Sequence, residues 1–268
     1  MKRRVGYDNI LGRMSGKLDL EWNDDDVVPA TINPDLEFLF HQMVHLTLQV
    51  VGAREGECIL DVGCGKATDA AKLSRTGAMV IGLEPSKVML VRAKGEDSNV
   101  TLVQGIGESL PFRSCFFDKV MCKGALDHFL LPSKTMEEIS RVLKPGGEVI
   151  IAIANFESLG FRIGKKADRI RAIFSGVDGQ RKPWELPSDH TYKFDCPSLS
   201  NLAKGYFQIK EVKGMSLFFG MPWWGRVLSA LPRPISYGIL NALDKLARPF
   251  PSLADVIVMK CGSLSQYK

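Results

Sequence analysis

Short apolar runs alternate with stretches of helical periodicity through the middle of the chain. Between Glu57 and Ala154, the strand-like runs are ECILDV, AMVIGLE, NVTLVQG, FDKVMCK and EVIIAIA. Helices are predicted between most of these runs, and the longest, in PSKTMEEISRVLKPGG, is predicted to be ended by Pro145-Gly146-Gly147. Strands that are apolar throughout and alternate with helices indicate a parallel sheet covered on both faces. The pattern therefore predicts an α/β fold.

Both ends of the chain depart from this alternation of strands and helices. A cover helix is predicted from Pro34, a basic stretch follows Ala154, and CPSLSNLAKGYFQIKEVKG and DVIVMKCG predict a helix and two further strands. We divide the chain into four parts: an N-terminal segment with the cover helix (1–52), a ligand-binding core (53–155), a basic insertion or lid (156–195), and a C-terminal part that completes the sheet and carries an aromatic, apolar helical insertion (196–268).

Composition narrows the class of protein only slightly. The 268 residues are 45% hydrophobic and carry a formal charge of +5, an excess that permits an acidic substrate or a membrane surface but does not by itself indicate nucleic acid. The six cysteines form no C-x-x-C pair, as expected of reduced thiols in a cytoplasmic protein. The N-terminus lacks a secretory pattern, and no apolar run approaches ~18 residues. We therefore expect a cytoplasmic protein, with peripheral membrane contact as an open alternative.

The stretch ILDVGCGKA combines a strand with a glycine-rich loop. Gly63 and Gly65 expose backbone N–H groups at the start of a helix, which suits an anion or a close backbone approach. The dinucleotide fingerprint needs Gly or Ala at position 68, where this chain has Thr68, and the small residue Ala67 comes one position earlier. Asp61 is unfavourable beside a pyrophosphate and favourable beside a cation. The loop therefore points away from a dinucleotide.

Glu84 ends the next predicted strand, 21 residues after Gly63 (84 − 63). A carboxylate at that place can accept hydrogen bonds from both hydroxyls of a ribose. With Asp61, it predicts a nucleoside ligand that has a positive tail without phosphate. S-adenosylmethionine fits this description.

Residues from about 57 to 155 resemble the class I S-adenosylmethionine-dependent methyltransferases, particularly the small-molecule group with the type-11 domain. The resemblance lies in ILDVGCGKA, VIGLEPS, LVQGIGESLPF, FDKVMCKGALDHF and RVLKPGGEVII, which occur in this order. It implies a Rossmann-like, doubly wound, mostly parallel seven-stranded sheet with helices on both faces and a C-terminal antiparallel strand. It also implies S-adenosyl-L-methionine as cofactor and in-line methyl transfer.

The resemblance further implies which residues bind the cofactor. The glycine-rich loop would line the methionine end, the Glu84 region would hold the ribose, the stretch around Gly107 would border the adenine, and the backbone near Lys123 would meet the amino and carboxylate groups. The predicted cofactor-binding residues are Asp61, Gly63, Cys64, Gly65, Ala67, Glu84, Pro85, Ser86, Ile106, Gly107, Glu108 and Lys123.

Two positions depart from the family pattern. Ala67 replaces the usual third glycine, and its methyl group is tolerable if φ stays negative and the cofactor passes slightly further off. Ile106 stands where many relatives have an aspartate for the adenine amino group. Its presence removes one charge-assisted hydrogen bond, typically ~1.5–3 kcal/mol. Both changes predict weaker cofactor binding without loss of methyl transfer.

Methyl transfer needs alignment and the exclusion of water, and it needs a base only when the nucleophile is a weakly acidic hydroxyl or a protonated amine. His128, in ALDHF, is the first candidate for a base or a substrate-orienting group, the alternative being a histidine that holds the loop. His190 and Tyr192 could face the same pocket or anchor the lid. His41 and His45 have the i,i+4 spacing of a metal pair, but Gln42 stands where the protease motif needs Glu, so no metal is predicted.

The sequence leaves the methyl acceptor open. Phe218, Phe219, Trp223 and Trp224 could wall a pocket for a hydrophobic molecule, residues 218–250 could contact a membrane surface, or this segment could only cover the sheet edge. The basic insertion could attract a phosphate or carboxylate, or be a solvated face. We expect a small hydrophobic or acidic metabolite as the acceptor.

Alternative functions remain at this point. One is a non-catalytic, methyltransferase-like scaffold subunit. A nucleic-acid methyltransferase is disfavoured, because KGALDH stands where amino-methylating enzymes resemble one another in an N/D-P-P-Y loop. The sequence does not indicate an oligomeric state. The YDN sequence at Tyr7 is reminiscent of N-terminal segments that fold over the cofactor, the alternative being an exposed tail.

Overall fold

The computed structural model describes Trp22 and residues 32–95, 99–175, 182, 184–185, 190–221 and 223–264. Its centre is a seven-stranded sheet in the order β3-β2-β1-β4-β5-β7-β6. The strands are β1 (Cys58–Val62), β2 (Met79–Glu84), β3 (Val100–Gln104), β4 (Phe117–Lys123), β5 (Leu143–Ala154), β6 (Phe207–Met215) and β7 (Val256–Ser263). The helices are α1 (Pro34–Val51), α2 (Thr68–Ser74), α3 (Lys87–Ala93), α4 (Pro132–Val142), α5 (Leu159–Ser175), α6 (Cys196–Lys204), α7 (Trp224–Ser229) and α8 (Arg233–Ala247).

Strand pairing confirms the predicted fold class. Strands β1 to β5 pair in parallel, and β7 lies antiparallel between β5 and β6. The doubly wound order places β1 beside β4 at the centre of the sheet, where the strand order reverses. In sheets of this kind, ligands bind beyond the carboxyl ends of the strands at that reversal.

Alternating side chains of the central strands build two cores. Leu60 and Val62 of β1 pack on the face that α4 and α6 cover, whereas Ile59 of the same strand packs on the face that α1 and α2 cover. Because both faces are buried, the strand needs apolar residues at almost every position. This explains the continuous apolar runs of the sequence.

The helix predicted from Pro132 ends earlier than the sequence pattern suggested. The helix α4 stops at Val142, and Leu143 already pairs with Phe117 as the first residue of β5. Pro145 disfavours a helical conformation at Lys144, and its ring cannot continue the helix. The helix therefore stops at Val142, a little before the predicted end at Pro145-Gly146-Gly147.

The two segments whose sequences lack a regular alternation of strands and helices, the basic insertion and the aromatic segment, both contain helices. The basic insertion contains α5, and the aromatic segment contains α7 and α8. A small core joins these last two helices to α1 through Phe38, Leu228 and Leu240. None of the helices in the described ranges is long and apolar enough to cross a membrane.

Candidate functional site

The loops that follow β1, β2, β3 and β4 meet at the carboxyl edge of the sheet. In the first of them, Gly63 has φ +74° and Gly65 has φ +53°. The N–H groups of Gly63 and Cys64 donate to the Leu83 carbonyl at 2.8 and 3.0 Å. A Cβ atom on Gly63 would lie 2.5 Å from that of Ala125. Glycine is therefore needed at position 63 for both its dihedral angle and its close contact with the loop after β4.

Ala67 adopts the left-handed conformation, with φ +58° and ψ +21°. The negative φ on which tolerance of the methyl group was expected to depend is therefore not adopted. Its N–H donates to the Cys64 carbonyl at 2.8 Å, so the chain turns tightly before it enters α2. A non-glycine residue in this conformation costs about 1–2 kcal/mol. Its methyl group is buried in the core beside α1 and α2, which offsets part of that cost.

The carboxylate of Glu84 binds the glycine-rich loop. Its Oε2 accepts the Gly65 N–H at 3.0 Å and its Oε1 accepts the Ser86 N–H at 2.9 Å. Burial raises the pKa of Glu84, and these two N–H groups oppose that effect. Each carboxylate oxygen offers two lone pairs, so the group keeps acceptor capacity for two hydroxyls. This arrangement suits the predicted ribose contact.

Asp61 is a buried carboxyl group with a strongly raised pKa. Burial is the main cause of the raised pKa, and repulsion from Asp69 and Glu84 adds to it. Lys123 opposes the shift, and the resulting pKa is about 8. The Lys123 ammonium lies 3.1 Å from Asp69. Asp69 and Glu84 thus both lie close enough to Asp61 to repel its charge, and Lys123 offsets part of that repulsion. A cationic ligand would favour the ionised form of Asp61.

The remaining predicted cofactor residues have clear structural contacts. The Ser86 hydroxyl accepts the Met89 N–H at the start of α3, and the Pro85 carbonyl accepts the Gln104 side-chain amide. Cys64 packs its sulfur against Gly82, where a Cβ atom would lie 2.7 Å away. Burial raises the pKa of the Cys64 thiol, so this cysteine is an unreactive packing residue.

The predicted adenine region also supports the loop after β4. Glu108 is buried, and its Oε1 accepts the N–H groups of Leu130 and Leu131 at 2.9 and 3.3 Å. A Cβ atom on Gly107 would lie 2.9 Å from the Thr135 methyl group, so glycine allows α4 to approach. Ile106 is buried. The stretch 106–108 therefore connects the predicted adenine side with the loop that carries His128.

Asp127 brings the two candidate histidines together. Its Oδ2 lies 3.0 Å from His190 Nε2, and its Oδ1 lies 4.0 Å from His128 Nε2. The two imidazole rings have centroids 4.2 Å apart. The N–H groups of Thr191 and Tyr192 donate to the Asp127 carbonyl at 2.7 and 3.2 Å. The segment after the basic insertion is thus fixed to the loop after β4.

The same three side chains are a possible ligand set for a metal ion. Asp127, His128 and His190 each offer one ligand atom, and these atoms lie within 4.8 Å of one another. The Asp127–His190 contact is already of hydrogen-bond length, which favours a carboxylate–imidazole pair. His41 and His45, the sequence-level metal pair, are both exposed on α1.

Trp22 is a site residue that sequence reasoning did not identify. Its carbonyl accepts the Ser86 hydroxyl at 2.6 Å, and its ring centroid lies 5.8 Å from that of His128. This part of the N-terminal segment therefore reaches from the predicted ribose side to the candidate base. A tryptophan in an otherwise polar segment is the signal that could have pointed to it. Tyr7 lies outside the described residues.

A series of aromatic rings leads away from the histidines. The centroid distances are 6.1 Å from His190 to Phe156, 6.1 Å from Phe156 to Phe161 and 6.4 Å from Phe161 to Phe219. Of the four aromatic residues predicted as a pocket wall, Phe219 belongs to this series. Phe218 and Trp224 contact each other at 6.1 Å, and Trp223 is 67% exposed.

Comparisons with known proteins agree with this geometry. Residues 60–151 match the family model described as a methyltransferase domain. An uncharacterized methyltransferase of Synechocystis is 40% identical over 121 residues, covering 44% of this chain and 55% of the relative. The demethylmenaquinone methyltransferase of Corynebacterium kroppenstedtii is 37% identical over 98 residues, covering 37% and 42%. The ubiquinone biosynthesis O-methyltransferase of Xanthomonas oryzae is 31% identical over 131 residues, covering 46% and 55%.

Solved structures extend the likeness of fold beyond the matched domain. A methyltransferase in complex with the Trm112 activator of Haloferax volcanii has a TM-score of 0.59 at 17% identity, covering 85% of this chain and 93% of that one. The [4+2]-cyclase SpnF has a TM-score of 0.55 at 17% identity, covering 82% and 79%. The second likeness shows that this fold also serves reactions other than methyl transfer.

Residues 60–151 therefore form a class I S-adenosylmethionine-dependent methyltransferase domain, as the resemblance implied. S-adenosylmethionine is the cofactor of this class, and the buried acids Asp61 and Glu84 fit its cationic and ribose parts. The chain spans about half the length, or less, of the curated relatives named above.

Proposed function

We propose that the protein methylates a hydroxyl group on a small aromatic or otherwise hydrophobic molecule. The observation that carries this proposal is the pairing of His128 and His190 around buried Asp127. A phenolic hydroxyl, whose pKa is about 10, is mostly protonated at neutral pH and needs a base to react rapidly. A pair of adjacent histidines, one of which lies within hydrogen-bond distance of a buried carboxylate, is suited to that task.

Asp127 has two roles in this proposal. A carboxylate hydrogen-bonded to an imidazole fixes the orientation of the ring and stabilises the imidazolium that forms when a proton is taken up. When bound, S-adenosylmethionine supplies a methyl group that is already activated for displacement. The histidine pair would accept the acceptor's proton, while Trp22 and the segment around Tyr192 would limit the access of water.

The ring series from Phe156 to Phe219 supports a hydrophobic acceptor. Aromatic side chains beside a few convergent polar groups are typical of sites for apolar small molecules. Two of the relatives are named demethylmenaquinone methyltransferase and ubiquinone biosynthesis O-methyltransferase. Both names support a quinone-like acceptor for this chain, and the second supports transfer to oxygen.

Methyl transfer to a panel of catechols, hydroquinones and aliphatic amines tests the proposal. His128→Gln, His190→Gln and Asp127→Asn should each lower kcat by ~10²–10⁴-fold on a phenolic acceptor. They should also change the pH dependence of kcat, while binding of S-adenosylhomocysteine stays close to that of the wild type. Tyr192→Phe is the matched control, since its hydroxyl only donates to the Leu130 carbonyl. It should retain activity.

Four results would contradict the proposal. Transfer only to amines would assign another acceptor class. Full activity in His128→Gln and His190→Gln would remove the base from the mechanism. Loss of activity with a chelator, restored by a divalent metal, would show that Asp127, His128 and His190 act as metal ligands. Cofactor binding without turnover on any acceptor would favour a non-catalytic scaffold.

A further inference from the structure

The outward face of α5 exposes large apolar side chains among basic ones. Ile170 is 59% exposed, Ile173 is 78% exposed and Phe174 is 83% exposed. Lys166 and Arg169 are exposed on the same helix. We refer to these five residues as the α5 face.

Helical spacing places these residues on one side. Positions 166, 170, 173 and 174 follow the i, i+4, i+7, i+8 pattern of a single face. The opposite side is used internally, because Phe161 is buried and Gly164 lies against the ring of Trp184 without room for a Cβ atom. The apolar residues of the α5 face are therefore not part of the protein core.

Basic residues predominate among the charged residues of this helix. Its sequence, LGFRIGKKADRIRAIFS, contains five basic residues and one acid. That acid, Asp168, lies 4.0 Å from Arg171 and 3.5 Å from Lys182. Within the described ranges, no carboxylate forms an ion pair with Lys166 or Arg169, so these two cations remain available for an external anion.

We propose that the α5 face binds an anionic lipid surface. A helix with apolar residues on one face and Lys or Arg beside them lies in the membrane interface, where the apolar groups enter the acyl boundary and the cations reach the headgroups. Negative lipids attract the cations within a Debye length of the surface. Both features are present on this one helix face.

A second copy of the chain fits the α5 face less well. A twofold symmetric contact would place the same face on both sides of the interface. Lys166 and Arg169 of one copy would then lie close to those of the other, and the repulsion would oppose association. A negative surface matches the charge, whereas an identical partner does not.

The position of α5 relates this surface to the site. The helix begins just after β5, and its Phe161 belongs to the ring series that leads from His190. A membrane bound at the α5 face would be connected to the candidate acceptor site through one helix. The inference does not depend on the proposed reaction, because lipid binding can be measured without cofactor or acceptor.

Flotation of the full chain with phosphatidylcholine vesicles, with and without phosphatidylglycerol, tests this proposal. The wild type should float only with the anionic vesicles, and salt should weaken the binding. Ile173→Ser/Phe174→Ser and Lys166→Glu/Arg169→Glu should each lower the partition coefficient by ~10-fold or more. The matched control is Leu246→Ser/Phe250→Ser. It removes two other exposed apolar side chains, 59% and 56% exposed, from the C-terminal helical insertion.

The outcomes separate the possible surfaces. Loss of binding in the α5 variants with retention in the control supports the proposal. Loss in the control alone would place the membrane contact in residues 218–250, and no binding to either vesicle would refute a lipid surface. A change of oligomeric state in the α5 variants by size-exclusion chromatography would assign the face to a second copy. Equal melting temperatures of all variants would show that folding is unaffected, since every changed residue is exposed.

Discussion

Asp61→Asn should stabilise the cofactor-free protein at alkaline pH. The folded pKa of Asp61 is about 8, against an ordinary value of 3.8. Between those pH values the folded protein keeps a proton that the unfolded chain has lost. The stability of the wild type therefore falls as the pH rises through this window and levels off above about pH 8. Asparagine has no proton to lose, so the stability of the variant lacks this pH dependence.

The magnitude follows from the width of the window. Each pH unit below the folded pKa corresponds to ~1.4 kcal/mol, and Asp61 is half ionised at about pH 8. The stability difference between Asp61→Asn and the wild type should therefore widen by about 2.3 kcal/mol between about pH 6 and pH 8. Over the whole interval from 3.8 to about 8, the upper bound is about 6 kcal/mol. The slope is the more useful quantity, because any constant effect of the substitution cancels.

Urea denaturation without cofactor, at a series of pH values, measures this slope. Asp118→Asn is the control, because burial would raise its pKa but the hydrogen bonds from Lys144 and the Cys58 N–H hold it below its ordinary value. Its difference from the wild type should stay constant between about pH 6 and pH 8. An Asp61→Asn difference that does not change with pH would falsify the assignment of a buried, protonated carboxyl group at this position.

Three other predictions concern the cofactor loop. Binding of S-adenosylmethionine should release up to about one proton near pH 7, because the cation of the cofactor favours the ionised form of Asp61. Calorimetry in buffers of different ionisation enthalpy would detect this release. A binding enthalpy that does not depend on the buffer would contradict it. Glu84→Gln should weaken binding of S-adenosylhomocysteine ~10–100-fold by calorimetry, through loss of charge-assisted hydrogen bonds, and unchanged affinity would exclude Glu84 from the site. Ala67→Val should lower the unfolding free energy by ~3 kcal/mol or more in urea titrations, since a β-branched residue is strained at positive φ, whereas Ala67→Gly should stay within ~1 kcal/mol.

The central fold and the cofactor loop could be predicted from the sequence because their signals are local. Burial on both faces of a strand leaves a continuous apolar run, and a strand followed by Gly63 and Gly65 has few structural alternatives. Glu84 was found because strand ends in such sheets meet at one edge. Each of these inferences needs only a short stretch of chain and a general rule of sheet geometry.

The contacts that define the proposed acceptor side are not local. Asp127 and His190 lie 63 residues apart (190 − 127), and the intervening insertion has no pattern that gives its direction. Trp22 reaches the site from a polar segment without periodicity. The sign of φ at Ala67 depends on how tightly the loop turns against Cys64, which residue type alone does not fix.

The charges at the cofactor edge have a physical consequence for the reaction as a whole. Burying Asp61 beside Asp69 and Glu84 destabilises the empty domain, and a cationic ligand relieves that cost. After transfer, the sulfur of the cofactor is neutral, so the product compensates these acids less than the substrate does. We therefore predict that these acids favour binding of the cationic cofactor over its product with a neutral sulfur. The same residues make the empty protein less stable at alkaline pH.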